Sequence, residues 1–213
     1  MIEQIPNRVS VLFLLIGIPH SCNPITFMLY YFQGGDLMKH FLVVVDIQKD
    51  FVDGALGTAE AVAMLPNATK KIKKFEGEIF VTYDTHFANY METAEGKKLP
   101  VPHCIKGTPG WELDQNIVNA LAGKAYCNVE KLTFGSTELP ELIRMNVADE
   151  DFDITLIGLC TDICVVSNAL ILKANFPEKN IIVDASCCAG VTVESHNAAL
   201  TTMKMCQIEV IEA

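Results

Sequence analysis

From residue 41 onward, short apolar runs alternate with longer stretches in which apolar residues recur at helical spacing. The runs lie at 41–45, 79–83, 125–129, 154–158, 181–183 and 208–211. They are continuous rather than alternating, as in strands covered on both faces. Helical patterns fall between them, at 60–75, 111–121, 137–145, 163–174 and 193–205. Pro140 sits in a first helical turn, where its missing N–H costs little. This order predicts an α/β fold: a three-layer α/β/α domain with a central, mostly parallel six-stranded sheet. The segment 85–109 is rich in Gly, Pro and Lys and has no apolar period. A loop of that length inside a compact domain is usually functional.

Residues 1–37 break the pattern. Two apolar runs, at 9–18 and 25–32, are separated by Pro19, Asn23 and Pro24. Neither reaches the ~18 residues of a membrane span. Pro19-His20-Ser21-Cys22 is a poor signal-cleavage site and Glu3 weakens the basic region before it. We therefore read 1–37 as a non-native or disordered extension, Met38 as the natural start, and 38–213 as one domain. A net charge of −10, with one basic run at 70–74, argues against nucleic acid or an anionic membrane as partner. The eight cysteines lack the spacing of a secreted disulfide scaffold. A cytoplasmic protein with mostly free thiols is expected.

In an open parallel sheet, ligands bind outside the carboxyl ends of the strands. Candidate chemistry falls there repeatedly. Cys160 and Cys164 lie between the fourth strand and the following helix, where unpaired N–H groups and a positive dipole end favour a thiolate and can hold an oxyanion. Cys164 is the leading nucleophile. Asp46 ends the first strand, where its carboxylate can accept a thiol proton. Lys131, after the third, can set an ammonium against both and lower the thiol pKa. Asp84 and His86 share one side of an extended segment. With His103 they form an oxygen, nitrogen, nitrogen set suited to a borderline divalent metal. Glu95, or failing that Glu92, is a further carboxylate from the same loop. Each residue also has a bland reading: a turn cap for Asp46, a surface lysine, a loop histidine, a packed cysteine.

Taken in order, D-x-Q-x-D-F at 46–51, D-T-H at 84–86, P-H-C-I-x-G-T-x-G at 102–110, K-x-x-F-G-S at 131–136 and G-x-C-T-D-x-C-V at 158–165 resemble the isochorismatase-like cysteine hydrolases, and among them the nicotinamidases. The resemblance runs from Phe41 to Cys206. It implies a Rossmann-like sheet, Asp46, Lys131 and Cys164 as a catalytic triad, and Asp84, His86 and His103 as metal ligands. It also implies a non-proline cis peptide at Leu159-Cys160, turning the Cys160 N–H toward an oxyanion together with that of Cys164. The metal expected is zinc first, with iron or manganese as alternatives. The activity implied is conversion of nicotinamide to nicotinate and ammonia through a thioester. The alternatives are another small amide, ureide or N-carbamoyl compound, or a non-catalytic binding or sensing protein. Two departures weaken the substrate assignment. No histidine follows D-T-H in the loop, so Glu95 stands as fourth ligand by position only. Leu99-Pro100-Val101 also stands where an aromatic often lines the ring, leaving Phe51 and Phe134 as the ring contacts. Such proteins often form homo-oligomers, which is the expected state.

Overall fold

Five consecutive apolar residues at 41–45 cannot satisfy a one-faced element, and they form the middle of the sheet. The computed structural model describes residues 38–147 and 150–212, so the readings for 1–37 lie outside the described residues. The strands are β1 (Lys39–Val45), β2 (Glu78–Asp84), β3 (Cys127–Lys131), β4 (Phe152–Leu159), β5 (Asn180–Ala189) and β6 (Glu209–Ile211). They lie in the order β3-β2-β1-β4-β5-β6, and every pairing is parallel. Side chains along β1 alternate between two cores. Leu42 and Val44 pack with α2 (Ala59–Lys74) and α4 (Gln115–Leu121) on one face. Phe41, Val43 and Val45 pack on the other with α5 (Leu139–Asn146), α6 (Val166–Asn175) and α7 (Val193–Met205). Both cores are apolar layers, and β1 is apolar on both faces from Phe41 to Val45 before it reaches the crevice.

Helix ends follow local chemistry. Thr58 caps α2 by accepting the Ala61 N–H at 3.0 Å. Thr192 and Ser195 form a reciprocal capping box at the start of α7. The basic run at 70–74 ends α2, where cations suit the dipole. It is not wholly solvated, for Ile72 is buried in the core and Lys71 pairs with Asp184 at 3.0 Å.

Several boundaries differ from the sequence reading, and β5 runs on to Ala189 where a strand ending at 183 is expected. β3 begins two residues later than expected and runs through Lys131, which therefore ends the strand instead of following it. The helix expected at 111–121 starts only at Gln115, because Asp114 caps it by accepting the Asn116 N–H. Segment 85–109 contains a short helical turn, Tyr90–Glu92, and α3 (Ala94–Lys98), capped by Thr93. One turn, α1 (Lys49–Val52), follows β1.

The strand order reverses between β1 and β4. The chain steps outward from β1 to β2 and β3, then crosses back to β4 on the other side of β1, leaving a crevice at the reversal. Gly158, at φ +125°, holds β4 against β1 there. A Cβ on it would fall 2.0 Å from the Val45 carbonyl oxygen, so only glycine fits. Among the described residues no helix is long and apolar enough to cross a membrane.

Candidate active site

Four neighbouring strands deliver one polar residue each to the crevice, in the row Lys131 (β3), Asp84 (β2), Asp46 (after β1) and Cys160 (after β4). Asp84 and Lys131 are direct partners in the sheet register. Asp46 takes φ +47°, a left-handed conformation that Asp tolerates better than most residues, and this turns the chain out of β1. Its Oδ1 accepts from the Thr82 hydroxyl at 2.6 Å, and its Oδ2 lies 2.6 Å from Lys131 Nζ. Lys131 Nζ also lies 3.2 Å from Asp84 Oδ1 and 3.5 Å from Cys164 Sγ. The expected trio of Asp46, Lys131 and Cys164 is thus brought together, with exposures of 0%, 3% and 3%.

Cys164 reaches this point from a wide helical turn, Thr161–Val165, in which the Val165 N–H donates to the Cys160 carbonyl at 3.0 Å. Such π-type turns concentrate at functional positions. The Leu159-Cys160 peptide is cis, as the resemblance implied. Cys160 and Cys164 stand at the head of the turn, where the first N–H groups of a helix lack intrahelical partners.

The turn and the ammonium favour a thiolate, but burial opposes it. Burial pushes the Cys164 pKa well above the ordinary thiol value, the Asp46 carboxylate pushes it further, and Lys131 only partly opposes them. Desolvation and a facing anion outweigh the turn's dipole and the ammonium. Burial likewise raises Asp46, with Lys131 opposing. Burial alone would lower the pKa of Lys131, but Asp46, Cys164 and Asp84 together raise it, so it stays charged. The cluster therefore holds one ammonium, two carboxyl groups and a thiol that gives up its proton only to a neighbour.

On the outer side of Asp84 stand the two histidines. Asp84 Oδ2 lies 3.1 Å from His86 Nε2 and 3.6 Å from His103 Nε2. Backbone pairing explains the meeting: the His86 N–H donates to the Cys104 carbonyl and the Lys106 N–H to that of His86, which lays the His103 segment beside β2. The Val101 carbonyl can only accept, so His103 Nδ1 carries hydrogen and Nε2 is the atom turned toward Asp84. Glu95 Oε1 lies 3.8 Å from His86 Nε2 and 3.7 Å from His103 Nε2, joining the group from α3. Donor atoms of Asp84, His86 and His103 all fall within 4.8 Å of one another. That spacing suits ligands sharing one cation at ~2.0–2.2 Å, so the residues present fit a divalent metal. Burial works against the Asp84 carboxylate, yet hydrogen bonds from His103 and His86 and the charge of Lys131 hold its pKa well below the usual range.

Sequence reasoning missed the residues that hold these groups in place. Gln48, fully buried, accepts the Asp84 N–H at 2.8 Å and donates to the carbonyls of Asp84 and Trp111 at 2.9 and 2.8 Å. Asn168, also fully buried, donates to the Cys164 and Phe134 carbonyls and accepts the Ser136 N–H. The Tyr90 ring packs edge-on to both imidazoles, at centroid distances of 4.7 and 5.1 Å. The available signal was a polar amide two residues past Asp46 and another one turn past Cys164. Trp111 packs on Tyr83 and donates to the Thr85 hydroxyl, so it is a wall of the fold and not a cover.

Both clusters open into a cavity of about 430 Å³. Phe51 and Phe134, expected as ring contacts, line it with Asp84, Glu95, His103, Cys160 and Cys164. Phe51 also packs on the His103 ring. Cys187 and Cys188, which a sensing role would invoke, are buried within β5 away from this opening.

A parallel sheet whose reversal point carries a buried thiol, carboxylate and ammonium beside a carboxylate–diimidazole set holds the groups a cysteine hydrolase needs. Comparison with known proteins identifies the family. The isochorismatase domain matches residues 40–213, and the chain belongs to that family. A nicotinamidase/pyrazinamidase of Mycobacterium tuberculosis is 27% identical over 185 residues, covering 80% of this chain and 97% of that protein. The crystal structure of a nicotinamidase/pyrazinamidase from Bacillus subtilis superposes with a TM-score of 0.71 at 26% identity, covering 82% of this chain and all of that one. An N-carbamoylsarcosine amidase from Thermoplasma acidophilum superposes with a TM-score of 0.66 at 26% identity, covering 82% and 96%.

Proposed function

We propose that this protein is a metal-dependent cysteine amidohydrolase that converts nicotinamide to nicotinate and ammonia. The observation that carries the reading is the contact of Lys131 Nζ with Asp46, Asp84 and Cys164 Sγ at the inner end of a cavity that His103 and Glu95 also line. In this reading Asp46 takes the Cys164 proton as the sulfur attacks the carboxamide carbon. A resting thiol suits that order, because the proton moves only when a carbonyl is there to receive the sulfur. Lys131 balances the negative charge as it passes between sulfur and carboxylate. The N–H groups of Cys160 and Cys164 hold the oxyanion. Asp46 then returns its proton to the departing ammonia, leaving a thioester, and draws a proton from the water that hydrolyses it.

Asp84, His86 and His103, with Glu95, would hold the metal, zinc in the first instance. When bound, it supplies a Lewis-acidic anchor for a ring nitrogen or an ordered water. Asp84 has a further part of its own, since its Oδ1 faces Lys131 while Oδ2 faces the histidines. Cys104, Cys160, Cys164, Cys187, Cys188 and Cys206 are free thiols, which supports a reducing cytoplasmic setting. A homo-oligomer belongs to the same proposal and is checked by sedimentation.

The test is ammonia release from nicotinamide by the purified protein, with Cys164→Ala as the blank and metal content measured on the same sample. Turnover lost in the variant at unchanged metal content supports the reading. Absence of turnover in folded, metal-loaded protein refutes nicotinamide as substrate. It would then favour a second reading, hydrolysis of another small amide or N-carbamoyl compound, for which the Thermoplasma relative is the supporting observation.

A further inference from the structure

The cavity is larger than the reaction just proposed requires. A pyridine carboxamide displaces on the order of five waters, or about 150 Å³ at ~30 Å³ each, and a metal with two or three waters would take roughly 90 Å³ more. The cavity measures about 430 Å³, within the range of sites that enclose much larger ligands. Its polar groups are clustered: His103 Nε2 lies 3.6 Å from Asp84 and 3.7 Å from Glu95, and Cys164 joins Asp84 through Lys131. Much of the remaining wall is apolar, formed by Phe51, Leu56, Leu99, Leu132, Phe134 and Ile163.

Three of those residues also face water. Leu132 is 66% exposed, Phe134 46% and Leu99 37%. Single exposed apolar residues are ordinary. Here three border one opening, and they come from separate segments, the end of α3 and the loop after β3. An N-carbamoyl amino acid, small and charged, would leave that wall bare. A one-ring amide held at the thiol would reach little of it.

We infer that the preferred substrate is an aryl carboxamide larger than one ring, whose uncharged second ring or apolar substituent lies along Leu99, Leu132 and Phe134. The inference rests on the amidase reading and deepens it. The reaction is the same hydrolysis: amide and water give the carboxylic acid and ammonia, with the C–N bond broken and a C–O bond formed through the Cys164 thioester. Contact with the outer wall is made equally in ground and transition states, so it lowers KM more than it raises kcat.

Quinoline-3-carboxamide tests this directly, because it is nicotinamide with one fused ring. Ammonia release by the metal-loaded full chain is compared for the two amides. The expected result is a KM at least about tenfold lower for the quinoline, the smaller end of what added apolar contact gives in an enzyme pocket. Leu132→Ser, at an exposed loop position, should bring the two KM values toward each other, with thermal melting showing that the variant is folded. Hydrolysis of nicotinamide with equal or better kcat/KM overturns the inference and leaves the amidase reading standing. An unchanged KM ratio in Leu132→Ser also overturns it, since the wall would then make no contact. Failure to hydrolyse either amide removes the amidase reading and this inference with it.

Discussion

Replacing Lys131 with methionine keeps the aliphatic stem and removes the one cation between two buried carboxylates. Lys131 Nζ lies 2.6 Å from Asp46 Oδ2 and 3.2 Å from Asp84 Oδ1, with its side chain 1% exposed. At an effective dielectric of about 20, those contacts are worth about 6 and about 5 kcal/mol in gross Coulomb energy. Much of this is offset, since the variant no longer buries an ammonium. What remains is the cost of carboxylates without a partner, which for broken buried pairs runs at about 3–5 kcal/mol. Urea unfolding near neutral pH should show a loss of that size, equivalent to roughly 6–20 °C in Tm for a domain of this length. The loss should shrink relative to wild type as pH falls. A carboxyl whose folded pKa is raised contributes stability that is present below its unfolded value and lost as pH rises through the folded one. Asp46 is already raised by burial, and losing Lys131 raises it further. Adding Asp46→Asn should recover most of the stability without restoring function. A loss under about 1 kcal/mol in the single variant, or an undiminished loss in the double one, would refute the view that Lys131 exists to hold these charges.

Three further outcomes can be checked. Wild-type stability should fall steeply above pH 9, because burial raises the folded pKa of Cys104, Cys160, Cys164 and Cys188 above the ordinary thiol value of 9.0, Cys160 to about 12. Their contribution is full below the unfolded pKa and lost as pH rises toward the folded ones, by up to about 1.4 kcal/mol per group per pH unit; a flat profile from pH 8 to 10 in urea melts would contradict it. Asn168→Leu strands the carbonyl of Cys164 and the Ser136 N–H in the interior, and should cost roughly 2–4 kcal/mol in chemical denaturation while Asn168→Asp costs as much or more. Gly158→Ala drives a methyl into the Val45 carbonyl and should leave little folded protein by circular dichroism, so a variant within about 1 kcal/mol of wild type would show that the β1–β4 contact is looser than described.

Much of the architecture was legible because central strands of a parallel sheet must be apolar on both faces, and runs such as 41–45 admit few other readings. Asp46 and Asp84 were legible for a related reason: each is the first polar residue after such a run, at the carboxyl ends of the strands where ligands bind, with Lys131 and Cys164 a few residues beyond theirs. Boundaries were less so. Lys131 was placed outside β3 because a lysine does not look like a buried strand end, and only its two carboxylate partners make it one. Gln48 and Asn168 were invisible as supports because their partners are backbone groups 36 and 32 residues away, which no local pattern reveals. How deeply Cys164 is buried was not legible either. A turn's dipole can be read from spacing, but the burial that overrides it depends on neighbours from other elements.

The carboxylate and both histidines come from one continuous stretch, residues 84–103, held together by β2 and the return of the chain at Cys104. The thiol arrives from the far side of the strand reversal, at residue 164. During synthesis from the N-terminus, all three donors are made well before the sulfur exists. Assembly of the site therefore has a built-in order: the ion's ligands can gather around β1 and β2 first, and the reactive atom is added when β4 slots in beside β1.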